Sequence, residues 1–193
     1  MKPTKVRRRL QESLQDRRIA TAVRDGFEDR LTDGFVIALT DDWVVLHTLS
    51  DGVHLDGVTM LRLEDVSRVW WRNDDAYHHR AIAAFAQEIA SFDCNLDVTA
   101  SDLVSAAATR ADIFAISFER LDQEPLCVGR LIERRPNSFV MHFVGRDGVW
   151  AETTERWKYR HVTRVEVGGR YLTALNSFAD PYPSPGEAAV RNP

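Results

Sequence analysis

His47 and His142 each close a run of three apolar residues, "VVLH" and "FVMH", about 95 residues apart. A metal site needs more. No His-Glu-x-x-His occurs, and His47, His54 and His161 match no standard ligand spacing. His78-His79 stands beside Asp74-Asp75, but adjacent side chains point apart and do not converge on one ion. Cys94 and Cys127 are isolated and fit neither a zinc nor a redox spacing, so both are expected as free thiols in a reducing cytoplasm. There is no Gly-x-Ser-x-Gly, P-loop or Gly-x-Gly-x-x-Gly. Asp41-Asp42 and Asp74-Asp75 fall where turns are expected, and Asp is favoured in turns for backbone reasons. The residues therefore nominate no metal ligand, no cofactor and no catalytic group. They predict that His47 and His142 occupy one repeated structural slot, hydrogen-bonded and half-buried.

Arginine offers a second chemistry, the tracking of phosphates beside aromatic rings. Arg7, Arg8 and Arg9, with Arg17 and Arg18, cluster near the N-terminus. Arg134, Arg135, Arg160 and Arg164 cluster late in the chain. These seven residues, Arg7 to Arg9 and the late four, are the nucleic-acid candidates. The formal net charge of −4 conceals the contrast. Residues 1–20 hold seven Lys/Arg against two Asp/Glu, residues 21–100 six against fifteen, and residues 127–170 nine against five. Opposite patches favour docking of one on the other, within or between chains. Only Lys2, Lys5 and Lys158 are lysines, a usage expected of a high-GC bacterial coding sequence. Among five tryptophans, Trp43 and Trp150 lie near expected hairpin turns and are the candidate exposed anchors for a protein partner. Trp70 and Trp71 are adjacent on an expected strand, one facing in and one out.

The elements that must position these groups form an internal repeat. Aligning Gly34 with Gly129 sets "GFVIALTDDWVVLH" over "GRLIERRPNSFVMH", and later "LRLEDVSRV" over "WKYRHVTRV". Phe139, Met141 and Phe143 alternate with Val140, His142 and Val144, the period of a pleated strand. Gly26, Gly34, Gly52, Gly57 and Gly148 each follow Asp, a hairpin signal. Each copy thus reads as about five short antiparallel strands. Helices are expected from a Thr4 cap onward with Val6, Leu10 and Leu14 on one face, over 80–91 with Ile82, Phe85 and Ile89 inward, after a Ser101 cap, and over 171–178. The longest apolar runs are far below the roughly 18 residues of a membrane span, and no apolar stretch follows the basic N-terminus as in a secretory signal.

A helix followed by five short, bent strands resembles the Sm-like fold, a small barrel of the Src-homology-3 type. The stretch "GFVIALTDDWVVLHTLSDGVHLDGVTMLRLEDVSRV" also resembles a family of bacterial proteins without an assigned activity. The resemblance spans about 19–85 and, more weakly, 113–178. It implies a mainly β, α+β chain of two tandem Sm-like small antiparallel barrels, over 1–93 and 94–179; the stretch 180–193, with four of the seven prolines and no apolar period, is expected to be a flexible tail. Sm-like barrels often bind RNA, but their Asp, Asn and Arg-Gly signature is not matched here. The first expectation is a cytoplasmic, non-enzymatic binding or scaffolding module acting on a protein partner or on itself. RNA or single-stranded nucleic acid is the second reading, and an enzyme with a site between the barrels the third.

Overall fold

The computed structural model describes residues 3–27, 31–51, 53–92, 95–121, 126–183 and 189–191. Cys94, the Gly52 turn and residues 184–188 and 192–193 of the expected tail lie outside them. The chain is mainly β with four helices among the described residues, and it divides into two compact units, Met1–Val98 and Thr99–Pro193.

The first unit runs α1 (Pro3–Asp16), β1 (Ile19–Val23), β2 (Leu31–Leu39), β3 (Trp43–Ser50), β4 (His54–Arg62), a 3-10 turn (Leu63–Asp65), β5 (Arg68–Trp71) and α2 (Asp75–Ala84). Its strands are antiparallel in the order β5-β1-β2-β3-β4. The second runs α3 (Ala100–Arg110), β6 (Phe114–Ser117), β7 (Cys127–Arg134), β8 (Ser138–Val144), β9 (Trp150–Lys158), a 3-10 turn (Tyr159–His161), β10 (Arg164–Val167) and α4 (Gly169–Phe178). Its order is β10-β6-β7-β8-β9, again antiparallel. Within the expected tail, Ala189–Arg191 forms β11, parallel to β9. No pairing joins β4 to β5 or β9 to β10 among the described residues, so neither sheet closes on itself. A 3-10 turn separates those strands, and the four residues of β5 and of β10 pair instead with β1 and β6.

Strand alternation explains the layers of the first unit. Ala20, Ala22, Val36, Val44, Leu46 and Leu61 face Val6 and Leu10 of α1. Ile19 and Phe35 face the other way and meet Ile82 of α2. In the second unit, Leu172 and Leu175 of α4 cover Ile113, Ala115, Val128 and Val144.

The repeat is reproduced down to its irregularities. Register shifts fall between Val36 and Ala38 and between Leu131 and Glu133, then between His47 and Leu49 and between His142 and Val144. The equivalent glycines at 34 and 129 are explained by space. A Cβ on Gly34 would stand 2.5 Å from the carbonyl oxygen of His47, and one on Gly129 would meet that of His142. Gly34 and Gly57 therefore lie within strands and not in hairpin turns. Gly57 has φ of 83° in the β4 bulge opposite Thr48. A hydroxyl–carboxylate clasp also repeats. Ser67 lies within hydrogen-bond reach of the Val23 carbonyl and Asp25, and Thr163 of the Ser117 carbonyl and Glu119.

Helix limits differ from the expected ones. α1 starts at Pro3, so Thr4 lies inside it. Thr99, not Ser101, caps α3: its hydroxyl accepts from the Asp102 N–H while the Asp102 carboxylate accepts from the Thr99 N–H. α2 begins at Asp75 and stops before Phe85, where the Ala86 N–H donates to Ala83 and the Gln87 N–H to Ile82.

Candidate binding surfaces

The two repeated histidines occupy equivalent strand positions and are both hydrogen-bonded, but only His47 is half-buried, His142 being 1% exposed. His47 Nδ1 accepts the backbone N–H of Ala90 at 2.9 Å. Burial holds its pKa below the ordinary value, opposed by the negative Asp56. His142 is buried, with Nε2 2.6 Å from the Ala151 carbonyl, so Nε2 carries the proton. Its Nδ1 accepts from the Tyr182 hydroxyl at 3.2 Å, and burial raises the Tyr182 pKa so that this donor keeps its proton. In each unit the histidine therefore secures the segment that follows the last helix.

The tryptophans are placed by the same logic. Trp43 is 2% exposed and is not an exposed anchor. It opens a strand flanked on both sides, its N–H donates to Thr40 Oγ1, and the Arg62 guanidinium covers its ring at 5.2 Å. Trp150 is half-buried and engaged within its own unit. Its Nε1 donates to the Asp180 carbonyl, and its ring meets Tyr182 edge-on at 4.9 Å and His142 at 5.3 Å. Trp70 is 39% exposed. Trp71 faces α1, donating to Ser13 Oγ at 2.9 Å under the Arg9 and Arg18 guanidiniums.

Most candidate arginines have structural partners. Arg7 donates to the carbonyls of Thr40 and Asp41 and to the Asp41 carboxylate. Arg9 donates to the Val69 carbonyl, and Arg8 pairs with Glu12 on the exposed helix face. Arg164 is buried against Glu166. The Arg7 and Arg9 contacts hold α1 in place, whereas Arg8–Glu12 and Arg164–Glu166 are local to α1 and to β10. Arg134, Arg135 and Arg160 remain on the surface, Arg135 with its fork on Glu133 and Arg160 with its Nε 3.0 Å from His161 Nε2.

Those surface arginines belong to one corner. The β7–β8 turn meets the 3-10 turn after β9: Ser138 pairs with Lys158, and the Tyr159 N–H donates to the Asn137 carbonyl. Arg134, Arg135, Lys158 and Arg160 are all exposed there. His161 is held below its ordinary pKa by burial and by the charges of Arg160 and Lys158. The equivalent corner of the first unit is built by the same bond, from the Leu63 N–H to the Asp42 carbonyl at 2.7 Å. It carries Asp41, Asp42 and Glu64 beside Arg7 and Arg62. These residues line a groove of about 640 Å³ whose apolar lining is Val6, Leu63 and Val66. One corner is net acidic, the other net basic, on the same backbone frame.

A third surface escaped the sequence reading. Leu172 and Leu175 turn α4 inward, and its opposite face exposes Tyr171 (45%), Ala174 and Phe178 (86%). Positions i, i+3 and i+7 share one helix face. α2 exposes Tyr77 and, at its C-cap, Phe85, which lies 4.8 Å from the His54 ring. Phe85 is exposed while Ile82 is buried, so the two do not share one face as the spacing predicts. The spacing of Tyr171 and Phe178 was the available signal, masked by the stronger apolar pattern of the buried face.

Among the described residues, no three His, Cys, Asp or Glu side chains are placed to hold a metal ion, and no helix is long and apolar enough to cross a membrane. No protein-family model, no curated protein and no solved structure matches this chain.

Proposed function

We propose that this chain is a non-enzymatic binding or scaffolding module, built from two Sm-like units, that engages another protein through the aromatic face of α4 and its counterpart on α2. The reading is carried by Phe178, 86% exposed beside Tyr171 on an ordered helix. Covering a phenylalanine contributes about 1.5–3 kcal/mol, and aromatic residues are favoured anchors of protein interfaces. The recurrence of an exposed Tyr and Phe on the last helix of each unit adds support. A helix followed by five short antiparallel strands, twice over, supports the Sm-like reading.

Photo-crosslinking tests it. A benzophenone amino acid at position 178, in the cells that make the protein, gives one discrete protein adduct, absent when the probe sits at the exposed polar position Glu152. A nuclease-sensitive adduct, or none, overturns the reading.

Nucleic-acid binding is the second reading, favoured by the four exposed cations at the corner of the second unit. The nearby rings argue against base stacking. Tyr159 is buried, and Trp157 is already stacked on Phe118 at 3.9 Å.

A further inference from the structure

We infer that chains of this protein associate head to tail, the acidic corner of the first unit receiving the basic corner of a second chain. The inference goes beyond the aromatic-face reading above and concerns a different surface, with a second copy of this chain as its occupant.

The argument starts from equivalence. Asp41 and Asp42 stand in the β2–β3 turn where Pro136 and Asn137 stand in the β7–β8 turn. Arg62, Leu63 and Glu64 stand where Lys158, Tyr159 and Arg160 stand. At equivalent positions the frame presents Asp42 against Asn137 and Glu64 against Arg160, while Arg62 and Lys158 are both cations and Arg134 stands where the first unit has Leu39. Duplication of a frame does not require opposite charge on it. Each corner carries a net charge of one sign, so net repulsion opposes a contact between two identical corners.

Shape agrees with charge. The acidic corner is concave, a groove of about 640 Å³ edged by Asp41, Asp42 and Glu64 over an apolar lining. At the basic corner every residue from Glu133 to Asn137 is exposed, as are Lys158 and Arg160. Asp41, with its side chain 71% exposed, and Glu64 at 59% keep carboxylate surface available beside Arg7 and Arg62. A partly enclosed groove strengthens the attraction relative to a flat, fully hydrated surface. Because the two contacting surfaces differ, the contact is heterologous, and repeating it gives a ring if the rotation closes and a filament if it does not.

Sedimentation velocity of the full chain is the test, with circular dichroism as the folding control. The wild-type chain sediments as dimers and larger species at about 50 mM salt, and the association weakens at least tenfold at about 500 mM, where the Debye length is a few ångströms. The double variants Asp42→Arg/Glu64→Arg and Arg134→Glu/Lys158→Glu are each monomeric alone, since each then carries two corners of one sign. Mixing the two restores a complex, because every corner of one now complements every corner of the other. A wild-type chain that stays monomeric at about 50 mM salt, or folded double variants that associate as the wild type does, overturns the inference. So does a monomeric chain whose basic corner instead retains labelled single-stranded RNA in anisotropy, an affinity lost in Arg134→Glu/Lys158→Glu. A monomeric wild type that still gives the protein adduct from position 178 sinks this inference alone and leaves the broader reading standing.

Discussion

The carbonyl oxygen of His47 lies 2.5 Å from where a Cβ on Gly34 would sit, and the same approach recurs between His142 and Gly129. The neighbours are backbone atoms of paired strands, so neither can move without breaking ladder bonds. Gly129→Ala is expected to cost about 1–3 kcal/mol or more by overpacking, read as a lower urea midpoint. Gly26→Ala is the contrast: it meets no atom within 4 Å but carries φ of 98°. Its expected cost is only the left-handed strain of about 1–2 kcal/mol.

Stability should depend on the protonation of His47. Its pKa in the folded chain is below 6.5, because burial disfavours the charged ring more than Asp56 favours it. The unfolded chain then binds the proton more readily. Stability from this group is complete above about pH 6.5 and is lost as pH falls toward the folded pKa. His161, lowered by burial and by its cationic neighbours, acts in the same direction. Urea midpoints measured from pH 7.5 to 5 should fall for the wild type, and less steeply for His47→Asn, whose amide oxygen can still accept the Ala90 N–H.

The repeated clasp is testable at Thr163, whose buried hydroxyl serves the Ser117 carbonyl, Glu119 and the Glu119 N–H. Thr163→Val keeps the shape and removes the oxygen. An expected loss of about 1–2 kcal/mol in chemical unfolding reflects groups left without a partner. Thr163→Ser, which retains the hydroxyl, should lose less.

Ala86 closes α2 with φ of 51°, a backbone region in which Gly is the ordinary choice. Ala86→Gly removes that strain while adding unfolded-state freedom. A net gain of up to about 1 kcal/mol is expected in thermal unfolding.

Arg7 and Arg9 should behave as structural residues. Their guanidiniums bridge α1 to the carbonyls of Thr40 and Val69. Alanine at either is expected to lower stability by about 1 kcal/mol, with partial exposure discounting a charge-assisted bond. Neither change should alter anisotropy of labelled single-stranded RNA at low salt. A loss of RNA affinity without loss of stability would return α1 to the nucleic-acid candidates.

The order of elements was legible because it rests on local patterns that recur. Valine-rich alternation and the Val6–Leu10 stripe reflect neighbours a few residues apart, and the Gly34–Gly129 match shows the same local pattern returning. The sequence could also show that charge differs between the copies. What the tertiary structure decided depends on which distant segments meet. Trp43, near a turn in sequence, is buried because its strand is flanked by β2 and β4 and Arg62 lies over its ring. Arg7 and Arg9 became structural because carbonyls from other segments reach them. Trp150 is occupied by Asp180 and Tyr182 from the C-terminal segment. The two charged corners exist only because register brings each hairpin turn against the 3-10 turn some 20 residues later, and spacing along the chain carries no trace of that meeting.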